Sequence, residues 1–246
     1  MRVALLALVL LLVGCTHDPG VVIDDPVLEP YDGPLHVAFD DAEYGAAGLA
    51  LGCQWNPQDG GVLDVSATGD DPEAAFAAWL GAEAPVVPDS GYQLEQVENG
   101  RALFSFVQVL SRVVVVILAE VESGWGVESW AACDPSELGV DTAESLGVGV
   151  WTGPGRPQVT SEVVTFRGSE SCGMQGTPIL RVGLDEYVRD GSSGLPAGAV
   201  NRELQRDGRT LWLGEHPRAA YLVPGSGSEV QRWPALDGPT GCDFRK

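Results

Sequence analysis

The sequence predicts a β-rich α+β fold made of two related modules, each with an antiparallel sheet and at most one short helix. Two hairpin-turn dipeptides, a run of β-branched residues and four well-separated cysteines support this prediction. We expect module 1 at residues 35–138 and module 2 at residues 158–246. Residues 139–157 are rich in Gly and Pro, which favours a linker between the modules.

The strands are predicted from turn signals and apolar patterns. Asn99-Gly100 and Asp207-Gly208 indicate two-residue hairpin turns, because both central positions of such turns need a positive φ angle. Residues 113–118 are six consecutive apolar side chains, mostly β-branched, and indicate a central strand buried on both faces. Further strands are expected around His36 and at residues 94–98, 102–110, 127–132, 204–206, 210–213, 219–223 and 229–233.

An internal repeat relates residues 92–134 to residues 200–243. Both segments contain a turn dipeptide followed by Arg, then a strand that ends in Trp, then a Cys-Asp pair. The aligned positions are Asn99-Gly100-Arg101 with Asp207-Gly208-Arg209, residues 127–130 with 230–233, and Cys133-Asp134 with Cys242-Asp243. Because turn, Trp and Cys align in the same order, the repeat favours two related modules over a chance similarity of two β meanders.

The cysteines indicate a disulfide framework. Cys53, Cys133, Cys172 and Cys242 form an even set, for which three pairings are possible. The repeat favours Cys53–Cys133 and Cys172–Cys242, and each such loop would contribute about 4 kcal/mol in the chain-entropy description. No C-x-x-C pair occurs and only three His residues are present, so we predict no metal site built from Cys and His, such as a zinc site, and no cofactor.

Helices are expected to be few. The best candidate covers residues 72–80, with Asp71 as N-cap, Pro72 at the first helical position and Gly81 at the end. A short second helix is predicted at residues 184–189.

The first residues are typical of an export signal. Met1-Arg2 is followed by an apolar run at residues 3–13, which is too short to span a bilayer as a helix. The run ends in Leu12-Val13-Gly14-Cys15, which resembles a bacterial lipobox. This resemblance implies that residues 1–14 are a signal peptide and that Cys15 is acylated; an ordinary signal peptide with a chance Cys is the alternative. Residues 15–34 are acidic and Pro-rich, and we predict a tether.

Several short sequence segments extend this resemblance over most of the mature chain. They are the lipobox and acidic tether, Ala131-Ala132-Cys133-Asp134-Pro135-Ser136-Glu137, Tyr187-Val188-Arg189-Asp190 and Asp207-Gly208-Arg209-Thr210-Leu211-Trp212-Leu213. The chain thereby resembles uncharacterised lipoproteins of high-GC, actinobacterial-type bacteria. The resemblance implies location on the extracytoplasmic face of the cell membrane, with acyl chains on Cys15 as the membrane contact, and it implies no activity.

The charge balance narrows the choice of partners. With 35 acidic and 14 basic side chains the formal net charge is −21, so nucleic acid is not expected as a partner. Anionic lipid head groups are disfavoured for the same reason. The acidic excess is interpreted as a source of solubility and of spacing from the membrane surface.

No catalytic motif is recognisable in the sequence. The chain has no G-x-S-x-G, P-loop, Rossmann or H-E-x-x-H pattern. The pairs Asp40-Asp41 and Asp70-Asp71 are candidates for acid–base work or calcium binding. The segment that starts at Asp64 resembles an EF-hand loop, but Ala75 stands where the bidentate Glu is required. His36 is expected to be a structural histidine.

Four Trp residues are candidates for a binding groove, and two of them are predicted to pack in the core. Trp125, Trp130, Trp151 and Trp233 could line a binding groove. However, Trp130 and Trp233 precede a Cys at matching repeat positions, so we expect them to pack against the disulfides.

The sequence therefore favours a lipid-anchored extracytoplasmic protein that binds another envelope protein or a small extracellular ligand. Two alternatives remain open at this stage. One is an envelope-acting hydrolase that uses a carboxylate pair, and the other is a purely structural surface protein.

Overall fold

The structure is a computed structural model that describes residues 28–38, 42–55, 59–82, 87–215, 218–226, 229–238, 240 and 242. The predicted signal peptide, Cys15, most of the tether, Asp40-Asp41 and His216 lie outside the described residues. Helices α1–α3 span Gly45–Ala50, Pro72–Gly81 and Val140–Ser145. In the part of the chain described, no helix is long and apolar enough to cross a membrane.

Within the described residues, sixteen strands account for most of the regular structure, which confirms the β-rich α+β prediction. Strands β1–β8 span Asp59–Val62, Tyr92–Glu98, Arg101–Gln108, Ser111–Val121, Gly124–Ala132, Val148–Val150, Thr152–Gly153 and Arg156–Pro157. Strands β9–β16 span Val163–Arg167, Pro178–Val182, Asp185–Val188, Gly191–Ser192, Val200–Arg206, Arg209–Leu213, Ala219–Pro224 and Gln231–Pro234.

Module 1 is one five-stranded antiparallel sheet in the order β1-β5-β4-β3-β2. The apolar run 113–118 lies in β4 and is at most 1% exposed, which confirms a central strand covered on both faces. One face packs against Phe76 of α2, and the opposite face packs against α1 and Leu35. Alternate side chains of β4 point to opposite faces of the sheet. Because both faces are covered, every residue of the run is buried, which explains why the run is apolar throughout.

The two predicted hairpin turns are confirmed. Asn99 and Asp207 have φ angles of 50° and 51°, and the glycines that follow them have 70° and 68°. These turns join β2 to β3 and β13 to β14. Each begins a four-stranded meander, β2–β5 in module 1 and β13–β16 in module 2.

Module 2 consists of two sheets. A four-stranded sheet in the order β11-β10-β9-β6 packs against a seven-stranded sheet in the order β12-β16-β15-β14-β13-β7-β8. The core between them includes Tyr187 and Leu180 from the first sheet and Leu211 and Trp233 from the second. The outer face of the four-stranded sheet is covered by residues around α3 and by Cys242.

The Gly- and Pro-rich segment 139–157 is not the unstructured linker that its composition indicated. It contains α3 and strands β6, β7 and β8, and it contributes strands to both sheets of module 2. Val148 and Val150 explain the difference, because these β-branched side chains are 0% and 5% exposed and pack into the core.

The predicted helix at residues 184–189 is wrong, as is the predicted strand around His36. Residues 185–188 form β11, which pairs with β10 across a turn with Gly183 at a φ angle of 59°. Glu186 and Tyr187 are both buried because this sheet is covered on both faces. Two adjacent residues of the segment are thus buried, so it lacks the alternation of buried and exposed residues that marks a strand with one covered face. Its pairing with β10 determines its conformation. His36 lies in an irregular segment that packs beside the module 1 sheet.

Candidate functional site: the cleft between the modules

A cleft between the two modules is a candidate site among the described residues, because it joins an aromatic ring, charged groups and an apolar wall. We call it the intermodule cleft, and its volume is about 370 Å³. Its polar and aromatic lining consists of Gln54, Trp55, Gln108, Ser111, Ser136, Glu137 and Arg156. This volume lies in the range typical of small-molecule pockets, which combine an apolar surface with a few placed polar groups.

The Cys53–Cys133 disulfide positions the module 1 wall of the cleft. It joins the segment before β1 to the end of β5, with 5.4 Å between the Cα atoms. The Glu137 carboxylate then accepts hydrogen bonds from the backbone N–H groups of Gln54 and Trp55, at 2.6 and 3.2 Å. The position of Trp55 is therefore restricted by the disulfide at Cys53, two residues earlier in the chain, and by the hydrogen bond from its N–H to the Glu137 carboxylate.

Asp134 connects the two modules beneath the cleft. Its carboxylate accepts hydrogen bonds from the Ser136 N–H at 2.9 Å, from the Thr160 N–H at 3.0 and 3.1 Å, and from the Thr160 hydroxyl at 2.8 Å. Asp134 and Thr160 are 0% and 2% exposed. A buried carboxylate needs such a set of donors, so this contact specifies how the modules meet at the cleft.

Arg156 forms part of the opposite wall. The short hairpin of β7 and β8 carries it, and its guanidinium carbon lies 5.1 Å from the centre of the Trp55 ring. This is a cation–π contact across the cleft. Arg156 is exposed, and within the described ranges no carboxylate forms an ion pair with it.

Ser136 is a buried polar group of the cleft whose hydroxyl has no partner among the described protein atoms. Its residue is 8% exposed, and its hydroxyl has no hydrogen-bond partner in the described part of the chain. Buried hydroxyl groups are usually paired, and an exception needs an explanation. A bound molecule in the adjacent cleft is one such explanation.

The tip of the β3–β4 hairpin lies at the rim of the cleft. Val109 and Leu110 have φ angles of 46° and 65°, and Val109 is 88% exposed. A positive φ angle is unfavourable for a β-branched residue, and strained backbone concentrates at functional sites. The exposed Val109 side chain also lines the cleft.

The disulfide prediction is confirmed for all four cysteines. Cys53 pairs with Cys133 and Cys172 pairs with Cys242, with Cα–Cα distances of 5.4 and 5.2 Å. The prediction that Trp130 and Trp233 both pack against a disulfide does not hold for Trp233, however. Trp130 shares a core cluster with Cys133, whereas Trp233 and Cys242 belong to different clusters.

Asp71, one of the predicted carboxylate candidates, has a structural explanation. The Asp71 carboxylate accepts a hydrogen bond from the Ala74 N–H at 2.7 Å, which confirms it as the N-cap of α2. Cys53, Cys133 and Glu137 form a cluster of three potential metal ligands in the described region. Both sulfurs belong to a disulfide, so they are not the thiolates that zinc requires.

Two partly buried glutamates of module 1 are paired with arginines. Glu95 bonds Arg112 at 2.6 Å, and it also accepts hydrogen bonds from the Ser105 hydroxyl and the Tyr31 N–H. Burial by itself would raise the pKa of Glu95, but these hydrogen bonds outweigh it and lower the pKa. Arg112 also donates to the Glu29 carbonyl at 2.5 Å, so the pair holds the N-terminal segment on the sheet.

Glu128 forms the second pair, with Arg101. The Arg101 Nε and Glu128 Oε2 atoms are 2.8 Å apart, and His36 Nδ1 lies 3.1 Å from Glu128 Oε1. Burial would raise the pKa of Glu128, but the contacts with Arg101 and His36 lower it. A general acid needs a raised pKa, so these two glutamates do not have the property that glycoside hydrolysis requires of its acid.

The chain was compared with protein families, curated proteins and solved structures. The chain matches no protein-family model, and no curated protein or solved structure shows significant similarity to it. The functional interpretation therefore depends on the site itself.

Sequence reasoning did not identify the intermodule cleft. The sequence favoured core positions for Trp130 and Trp233, and the structure confirms this, since Trp130, Trp151 and Trp233 are 9%, 1% and 4% exposed and belong to the core. Trp55 carried one usable signal, since it lies two residues after a disulfide cysteine. Arg156 lies in a Gly- and Pro-rich segment whose position against module 1 is decided by long-range contacts.

Proposed function

We propose that this protein is a lipid-anchored extracytoplasmic binding protein whose ligand occupies the intermodule cleft. One observation carries the proposal. Arg156 stacks on Trp55 without an ion pair among the described residues, beside the buried and unpaired hydroxyl of Ser136. Both groups can form hydrogen bonds that the described protein atoms do not supply.

Two features support an extracytoplasmic location. Disulfides persist in oxidising compartments, and the chain forms two of them. The lipobox-like Leu12-Val13-Gly14-Cys15 sequence supports an anchor through acyl chains on Cys15, because two chains give stable membrane attachment. The acidic residues that follow Cys15 would keep the modules away from an anionic surface.

The alternatives differ in what they require of the molecule. An envelope hydrolase requires a carboxyl group with a raised pKa close to a second carboxylate. The lowered pKa values of Glu95, Glu128 and Glu186 do not favour these residues as its acid. A protein partner is favoured by one observation, the exposed apolar hairpin tip formed by Val109 and Leu110.

The anchor is tested by mass spectrometry of the chain expressed in a bacterium with lipoprotein processing. We expect the wild-type protein to start at Cys15 and to carry acyl chains, and Cys15→Ala to be unacylated. A wild-type protein without acyl chains would remove the anchor from the proposal.

The cleft is tested by a ligand-observed NMR screen of small polar molecules against the full chain in detergent. We expect hits whose signals are lost with Trp55→Ala and retained with Leu184→Ala, which changes a side chain that is 97% exposed at the turn between β10 and β11. Hits that are insensitive to Trp55→Ala would place binding elsewhere.

A further inference from the structure

We infer that the ligand of the intermodule cleft is a neutral, polyhydroxylated molecule such as a mono- or disaccharide. This inference rests on the proposed binding function and names its ligand class. It follows from three properties of the cleft: its mixture of hydrogen-bond donors and acceptors, its cancelling charges and its apolar surface.

The polar side chains of the cleft offer donors and acceptors together. Gln54 and Gln108 each carry an amide with two N–H donors and a carbonyl acceptor, and Ser136 carries a hydroxyl that is both. Arg156 adds donors only, and Glu137 adds acceptors only. A hydroxyl group donates and accepts at the same atom, so several ligand hydroxyls match this set better than a molecule with only one kind of polar group.

The formal charges at the cleft oppose a ligand with a net charge. A purely anionic ligand would pair with Arg156 but would meet the Glu137 carboxylate in the same cavity, and a cationic ligand would face the reverse situation. A zwitterion such as a free amino acid would satisfy both charges. However, Glu137 already accepts two backbone N–H groups, at 2.6 and 3.2 Å, which reduces its capacity for an ammonium group.

The remaining surface suits the C–H faces of a sugar ring. Trp55, Val109, Val113 and Pro157 give the cleft an apolar wall next to the polar groups. Aromatic side chains combine a large apolar face with little conformational freedom, and they anchor ligands that have an apolar face and a polar edge. A pyranose chair, with C–H groups on its faces and equatorial hydroxyls at its edge, has these two kinds of surface.

The experiment titrates the full chain in detergent with D-glucose, N-acetyl-D-glucosamine and cellobiose, by isothermal titration calorimetry and saturation-transfer NMR. Glycine and L-alanine form the zwitterion arm, and acetate forms the anion arm. We expect at least one sugar to bind and the zwitterion and anion arms to show no saturable binding. Trp55→Ala and Gln108→Ala should each weaken sugar binding by about tenfold or more, as expected for central contacts.

Matched controls separate the site from general effects on the fold. Gln93→Ala removes an exposed amide on β2, outside the cleft, and should leave sugar affinity unchanged. Circular dichroism and the melting temperature of each variant report folding. Trp55→Phe keeps an aromatic face and should retain part of the affinity if Trp55→Ala destabilises the chain.

Each result has a distinct meaning. Sugar binding that depends on Trp55 and Gln108 supports the inference. Binding of the amino acids or acetate in a Trp55-dependent manner, without sugar binding, overturns the inference and leaves the proposed function standing. Sugar binding that neither variant changes overturns the assigned site, and no binding in any arm overturns both the inference and the cleft-binding part of the proposed function.

Discussion

The two modules share a four-stranded meander but cover it in different ways. In module 1 the faces of one sheet are covered by helices α2 and α1. In module 2 the meander packs against a second sheet, and α3 and the C-terminal segment cover the outer face of that sheet. The two meanders therefore have the same strand order and turn chemistry. The elements that bury their apolar faces differ, being helices in module 1 and a second sheet in module 2.

The two disulfides also attach at different places in the two modules. Cys53–Cys133 attaches directly after β5, the last strand of its meander, and also shapes the cleft wall. Cys172–Cys242 attaches the C-terminal segment to the turn between β9 and β10. A second contact holds that segment, because Glu186 accepts hydrogen bonds from the Thr240 N–H and hydroxyl at 2.8 and 2.6 Å.

The largest expected effect comes from removing one disulfide at a time. With sequence separations of 80 and 70 residues, loop entropy assigns about 4 kcal/mol to each bond. We expect C53A/C133A and C172A/C242A to lose similar free energies of unfolding in urea denaturation. Only C53A/C133A should also lose ligand binding at the cleft, and equal loss of binding in both variants would contradict the difference between the modules.

The next effect concerns the contact between the modules. Asp134→Ala leaves the Thr160 N–H and hydroxyl and the Ser136 N–H without their buried acceptor, which should cost about 3 kcal/mol. Urea denaturation measures the loss. Asp141→Ala, at the start of α3, serves as a partly exposed control and should change the free energy of unfolding little. A small effect of Asp134→Ala would show that the modules are joined mainly by other contacts.

Acid lability should be shared by both modules. The pKa values of Glu95 and Glu128 in module 1 and of Glu186 in module 2 are lowered from the usual 4.5. In each case burial would raise the pKa, and hydrogen bonds to Arg or Thr partners outweigh it.

A lowered folded-state pKa means that the unfolded chain binds protons first as pH falls. The contribution of these groups is therefore present above pH 4.5 and is lost as pH falls through their folded-state pKa values. Thermal unfolding between neutral and acidic pH should show this decline. Glu95→Gln and Glu186→Gln should each lower stability at neutral pH and flatten the acid decline; an unchanged pH profile in both would contradict the assignment.

The smallest effect compares two turns within module 1. Asn99-Gly100 is well suited to its positive φ angles, whereas Val109-Leu110 adopts them with side chains that disfavour them. Replacing Val109-Leu110 by Asn-Gly should raise the free energy of unfolding by about 1–2 kcal/mol. If the tip serves binding, the same change should weaken ligand or partner affinity. A gain in stability without any loss of binding would mark the strain as functionally neutral.

The parts of the fold that sequence reasoning predicted are those encoded by local chemistry. Asn99 and Asp207 mark turns through their φ requirement, Asp71 marks a helix start through its cap, and residues 113–118 mark a buried strand through their composition. Segment 139–157 was misjudged because its strands pair with β9 and β13, which follow later in the chain. Residues 184–189 were misjudged because they pair with β10 across a short turn, and their composition does not indicate this hairpin.

The meander, its turns and the even set of cysteines are readable from the amino-acid sequence, because each depends on residues that are neighbours along the chain or on covalent chemistry. The packing of the second sheet and the meeting of Trp55, Ser136 and Arg156 at one cleft depend on the folded chain. These three residues are separated along the chain, and their meeting requires the Cys53–Cys133 bond and the buried Asp134–Thr160 contact. Such long-range contacts leave no periodic pattern in the sequence, so the site emerges only when the modules are assembled.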